Sequence, residues 1–146
     1  MSAVTAPAQT HVASRRFGYG VAALINGLLM VLINVRPGWE AVPFLTEATP
    51  QVLGPVNTTL AASLVANVLY IAYSPRWITA FGGVITTAVG LVAAIRMWQV
   101  FPFDFRESTI DWSIIAHGVL AVAVAGSAIA VLVQLGMLLR AIVARQ

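Results

Sequence analysis

All five acidic residues of this chain, Glu40, Glu47, Asp104, Glu107 and Asp111, fall in two short connections between long apolar runs. The runs read Phe17 to Val35, Val52 to Tyr73, Ile78 to Val100 and Ile114 to Leu139. A helix rises ~1.5 Å per residue and the hydrocarbon core of a bilayer is ~30 Å thick, so each run is long enough to cross. The sequence therefore predicts an all-α polytopic membrane protein, a compact antiparallel bundle of four transmembrane helices. The single membrane domain takes up residues 17–146, behind a flexible tail over residues 1–16 that is small, polar and proline-bearing.

Four spans and their loops leave no room for a separate soluble domain, and a chain 60% hydrophobic and 9% charged has a membrane composition. Its eight basic residues are all arginine, scattered singly or as the Arg15-Arg16 pair, where a nucleic-acid face would need a clustered patch. With no cysteine, disulfide, thiolate and sulfur-metal chemistry are excluded.

Orientation follows from the arginines. Arg15 and Arg16 in the first tail, Arg76 in the second connection and Arg140 and Arg145 in the last tail lie on one side, with no acid among them. The other side holds Arg36, Arg106 and nearby Arg96 together with all the acids. By the positive-inside rule both termini are expected in the cytoplasm, and the protein in the plasma membrane. The first span is expected to stay uncleaved: its apolar run exceeds a signal core, and Asn34-Val35-Arg36-Pro37 offers no small-residue cleavage site.

Helix starts are marked at Thr49-Pro50 and Ser74-Pro75, each placing a hydroxyl at the N-cap and proline at the first helical position. Ser108 with Asp111 three residues on resembles a capping box for the fourth span. The turn Tyr73 to Trp77 is tight, so spans two and three should form a hairpin. Aromatic rings form two belts, Tyr19, Tyr70, Tyr73 and Trp77 at one level and Trp39, Trp98, Phe101, Phe103, Phe105 and Trp112 at the other.

Small residues repeat where backbones can approach closely. The third span offers Gly82, Thr86, Gly90 and Ala94, and the fourth Gly118, Gly126 and Ala130 beside Ala121 and Ala125. In lipid, such rows support van der Waals packing between helices, so spans three and four are expected to pack most tightly.

Polar residues inside the spans are neutral: Asn26, Asn67, Thr86, Thr87, Ser127 and Gln134. They are expected to hydrogen-bond across helices; the alternative, a polar pathway lined by Asn26, Asn67 and Thr86, is disfavoured because ion-coupled transporters usually keep an ionisable group near the midplane. A second polar group gathers at the acidic level: Asn34, Arg36, Asn57, Arg96, Gln99, Asp104, Asp111 and His117. Asp104 and Asp111 are the expected partners of Arg96. His117 is the one histidine inside a span, and haem, zinc or di-iron chemistry would need further ligands. No GxSxG, P-loop or HExxH motif occurs, and no catalytic, metal or cofactor set is expected.

Two segments, Asn34-Val35-Arg36-Pro37-Gly38-Trp39 and Phe101-Pro102-Phe103-Asp104-Phe105, resemble those of small four-span integral membrane proteins of unassigned function found in bacteria. The resemblance implies the fold and no site residues. The expected role is association in the bilayer, as an accessory subunit of a larger membrane assembly or as a homo-oligomer. The alternatives are a small channel or carrier with an outer polar vestibule, and a membrane-surface enzyme acting on lipid.

Overall fold

The computed structural model describes residues 6–106 and 108–145, with side chains described from residue 11 onward. Residues 1–5 of the expected tail, Glu107 and Gln146 lie outside them. The chain is all-helical: α1 Ala6–Asn34, α2 Pro50–Ala72, α3 Arg76–Val100 and α4 Trp112–Val143, with one 3-10 turn at Trp39–Ala41 in the first connection. All four α-helices are long and apolar enough to cross a membrane, as a multi-pass membrane protein requires. A helix satisfies its own backbone in lipid, and that is why these runs are unbroken.

The boundaries depart from the sequence pattern in two places. Helix α1 begins at Ala6, well before Phe17, so the stretch expected to be flexible is helical from there. Extending an existing helix avoids the cost of a new nucleus, and the Ala, Gln and Arg residues of this stretch favour continuation. At the start of α3, Pro75 is the N-cap rather than the first helical residue, and Ser74 stands outside. The Pro75 carbonyl accepts from the Ile78 and Thr79 amides at 3.1 Å.

The expected hydroxyl and carboxylate caps do not form. Thr49 precedes Pro50 as anticipated, but its backbone is already helical (φ −52°, ψ −41°) and its hydroxyl caps nothing. Asp111 is the N-cap of α4 without a side-chain bond, and Ser108 Oγ accepts from the Ile110 amide at 3.3 Å instead of closing a capping box.

Only consecutive helices touch: α1 with α2, α2 with α3 and α3 with α4. A closed bundle would also join α1 to α4, and among the described residues no close backbone approach joins these two helices. The exposed area agrees. The chain presents 10211 Å², against ~7200 Å² for a compact folded chain of 15.5 kDa. Buried apolar side chains among the described residues are few, namely Ala23, Val52, Ala66, Ala93 and Leu120. Lipid, as apolar as leucine, removes any need for each helix to hide its outer face from its surroundings.

Pairing along the row is regular. Cβ atoms placed on Gly20 and Gly27 of α1 would lie 4.0 Å from Ile71 and Leu64 of α2, and Asn34 meets Asn57 one repeat further on. Each step of seven on α1 is matched by seven on α2, the period of helices that stay in register by slight supercoiling. Between α2 and α3, Thr59 Oγ1 donates to Pro55 O at 2.9 Å and lies 3.3 Å from Val89 O across the interface.

The small-residue row of α3 faces α2 and not α4. A Cβ on Gly90 would lie 3.8 Å from Thr59 Cγ2, and one on Gly82 would collide with the Tyr70 hydroxyl. On α4, Gly118 and Gly126 meet nothing within 4 Å. The contact between α3 and α4 runs instead through Gly83 against Gln134, where a Cβ would sit 3.8 Å from Nε2, and through Trp98 against His117. Gly82 and Gly90 thus turn to α2, while on α4 Ala121 and Ala125 border α3. Small residues mark where approach is possible, but the side chains opposite decide which helix arrives.

Candidate functional site

The acidic ends of the helices carry the most elaborate structure, because the first and third connections are joined there. Leu45 and Phe103 form an isolated antiparallel bridge, with Thr46 N donating to Pro102 O at 3.0 Å and Asp104 N to Phe44 O at 2.8 Å. The least exposed residues flank it in sequence: Pro102 is fully buried, Val52 is 2% exposed and Thr49 3%. Thr49 Oγ1 has no hydrogen-bond partner. Nothing in the sequence pattern marks this bridge, since two irregular segments pair without periodicity.

Aromatic rings pack over the bridge. Phe103 and Phe105 stack with centroids 5.9 Å apart, and Phe44 lies 5.5 Å from Phe105. Phe101 turns this cluster towards α4. It ends α3 in the left-handed region (φ 44°), an unusual conformation for a bulky residue, and this aims its ring onto His117 at a centroid distance of 3.9 Å. Trp98 meets the same imidazole edge-on at 5.3 Å.

His117 is thus held as an aromatic. Its Nδ1 lies 2.8 Å from Ser113 O, and since a carbonyl can only accept, Nδ1 is the donor. Among the described residues no group of three His, Cys, Asp or Glu side chains is placed to hold a metal ion.

The polar residues anticipated at this level separate into distinct arrangements. Asn34 and Asn57 exchange two amide hydrogen bonds, Nδ2 to Oδ1 at 2.8 Å in each direction, and lock α1 to α2 at their acidic ends. Asn34 Nδ2 also donates to Met30 O at 2.9 Å. Asp104 is held by its own loop, accepting from the Arg106 amide at 3.1 Å and lying 3.5 Å from Arg106 Nε. That is the one ion pair among the described residues, and it is solvent-exposed. Such pairs are worth little, with a median of ~0–1 kcal/mol.

Arg96 is not paired with Asp104 or Asp111 as the sequence suggested. Its side chain is exposed on the face of α3 that also presents Ile85 and Val92. Arg36 is exposed beyond α1 and is brought to no other member of the group. Asp104, Arg106, Ser108 and Asp111 line a cleft of about 580 Å³, the vestibule-like feature of this end. Gln99 lines a second, apolar groove of about 360 Å³ between α3 and α4, with Ile95, Trp98, Ala121, Val124 and Ala125.

Deeper polar side chains mostly bond within their own helices. Asn26 donates to Ala22 O at 2.8 Å, Asn67 to Ser63 O at 2.7 Å and Thr86 to Gly82 O at 2.9 Å. The Tyr70 hydroxyl and the Gln134 Oε1 are buried without a partner.

No protein family, curated protein or solved structure matches the chain.

Proposed function

We propose that the protein works by lateral association in the membrane, as a small helical subunit of a larger assembly or of a homo-oligomer, with both termini in the cytoplasm. The observation that carries this reading is the unused face of α4. Gly126 and Ala130 sit at the small-xxx-small spacing of a close helix contact, and a Cβ added at Gly118 or Gly126 would meet nothing within 4 Å in its own chain. A glycine inside a helix costs about 1 kcal/mol relative to alanine, and only a backbone brought close at that point returns it. Helices that approach only in sequence order also leave two edges, α1 and α4, for a neighbour to extend. The arginine bias and the segregated acids support the orientation.

A conduit would need more than one copy, because a row of helices touching only in sequence order encloses no axis. Association is tested by placing single cysteines at Gly126 and, on the opposite edge of the row, at Val21, in a chain that has no native cysteine. Oxidative cross-linking in native membranes should trap a defined product at Gly126. Unreactive cysteines at both positions, together with a monomeric mass in mild detergent, would refute the reading.

A further inference from the structure

The groove between α3 and α4 lies at the acidic end, about 360 Å³ in volume and walled by Ile95, Trp98, Ala121, Val124 and Ala125. It is apolar apart from Gln99 at its rim. Arg96 does not line the groove, but it precedes Gln99 by three residues, so helical spacing sets it beside that residue on the exposed surface next to the groove. Its Cα lies four residues inside the end of α3 at Val100, a depth of ~6 Å at ~1.5 Å per residue.

A guanidinium at that depth on a lipid-facing surface needs an anion or a route to water. Among the described residues no carboxylate lies within 4 Å of it, while its stem is long enough to return the charged head to the level of the phosphates. A planar guanidinium matches phosphate oxygens in a bidentate fashion, and the Gln99 amide one turn above offers a further donor.

We propose that this groove is a binding site for an anionic phospholipid: Arg96 and Gln99 hold the phosphate and one acyl chain runs down the groove past Trp98 and Ile95. The charge selects the lipid. In a zwitterionic headgroup the phosphate already has an ammonium beside it, so a protein cation adds less than it does to a phosphate with no such neighbour. This site is separate from the association face, because Gly118 and Gly126 are not among the residues that line the groove.

Trp98 reports occupancy directly. The protein would be reconstituted in phosphatidylcholine containing a low fraction of either phosphatidylglycerol or phosphatidylcholine with brominated acyl chains. The Trp98 contribution is taken as the difference from Trp98→Phe, since Trp39, Trp77 and Trp112 also emit. Brominated phosphatidylglycerol should quench that contribution several-fold more efficiently than brominated phosphatidylcholine. Arg96→Gln should equalise the two lipids, Arg96→Lys should keep part of the preference, and Ala125→Phe should reduce quenching by both. Helical circular dichroism of each variant confirms that the fold is retained. Equal quenching by both lipids in the parent, or a preference that survives Arg96→Gln, overturns the site. So does a Trp98 that neither lipid reaches, which would mean that protein covers the groove. None of these results bears on whether the α4 glycines associate.

Discussion

Substituting Gly82 with alanine tests the glycine whose added Cβ would meet its neighbour most closely among the described glycines. A Cβ at this position would run into the Tyr70 hydroxyl, with ring carbons Cζ at 3.0 Å and Cε1 at 3.3 Å behind it. The tyrosine ring is itself leaned against Tyr19 at a centroid distance of 5.2 Å, so it yields only by disturbing α1. Overpacking of this kind typically costs ~1–3 kcal/mol. Alanine regains about 1 kcal/mol of helix propensity, so a net destabilisation of ~0–2 kcal/mol is expected. Tyr70→Phe removes the colliding oxygen, which is buried without a partner, and alone should be neutral or mildly stabilising. The remaining ring carbon at 3.0 Å still crowds a Cβ, so the double variant should recover part of the loss but not all. The cycle is read from unfolding of the four proteins in a mixed-detergent titration, where a coupling of ~1 kcal/mol favouring the double variant is expected. Equal effects of Gly82→Ala with and without the Tyr70→Phe change would refute the collision, and a Gly82→Ala variant stabilised by the full propensity gain would show that α2 and α3 are further apart.

Other outcomes follow from the same contacts. Asn34→Ala should weaken the α1 to α2 pairing by ~0.6–2 kcal/mol in the same unfolding assay, and Asn57→Ala added to it should cost little more because the amide pair is already broken. Gly90→Leu should separate α2 from α3, since its branched side chain grows into Thr59 from a Cβ already 3.8 Å from Cγ2, whereas Gly90→Ala should lose nothing measurable. A cysteine at Ser108 should react with an impermeant label from outside the cell and one at Ser74 only after permeabilisation; the reverse pattern would invert the topology.

The spans were legible because the bilayer imposes length and apolarity on each helix separately, so Phe17 to Val35 or Ile78 to Val100 can be recognised without knowing their neighbours. Lateral arrangement is another matter. The Gly82, Thr86, Gly90 row announces a close approach, but Tyr70 and Thr59 on α2 decide which helix fills it, and no local pattern names them. Arg96 and Asp111 looked like partners because the connection between them is short. Helical rotation instead turns Arg96 onto the outward face of α3, while Asp111 ends a cap on α4. The Asn34 and Asn57 pair was legible as two polar residues at one depth, and the heptad that aligns them is visible in Gly20, Gly27 and Asn34 only once α2 is set beside it.

The bridge between Leu45 and Phe103 has a consequence for how the protein is made. Its two segments belong to connections separated by the whole α2 to α3 hairpin, so during synthesis the first is made long before its mate exists. Until then the Thr46 amide and the Phe44 carbonyl have no protein partner. The bridge therefore closes only when both connections stand on the same side of the bilayer, and it ties the α1 to α2 connection to the α3 to α4 connection across the α2 to α3 hairpin.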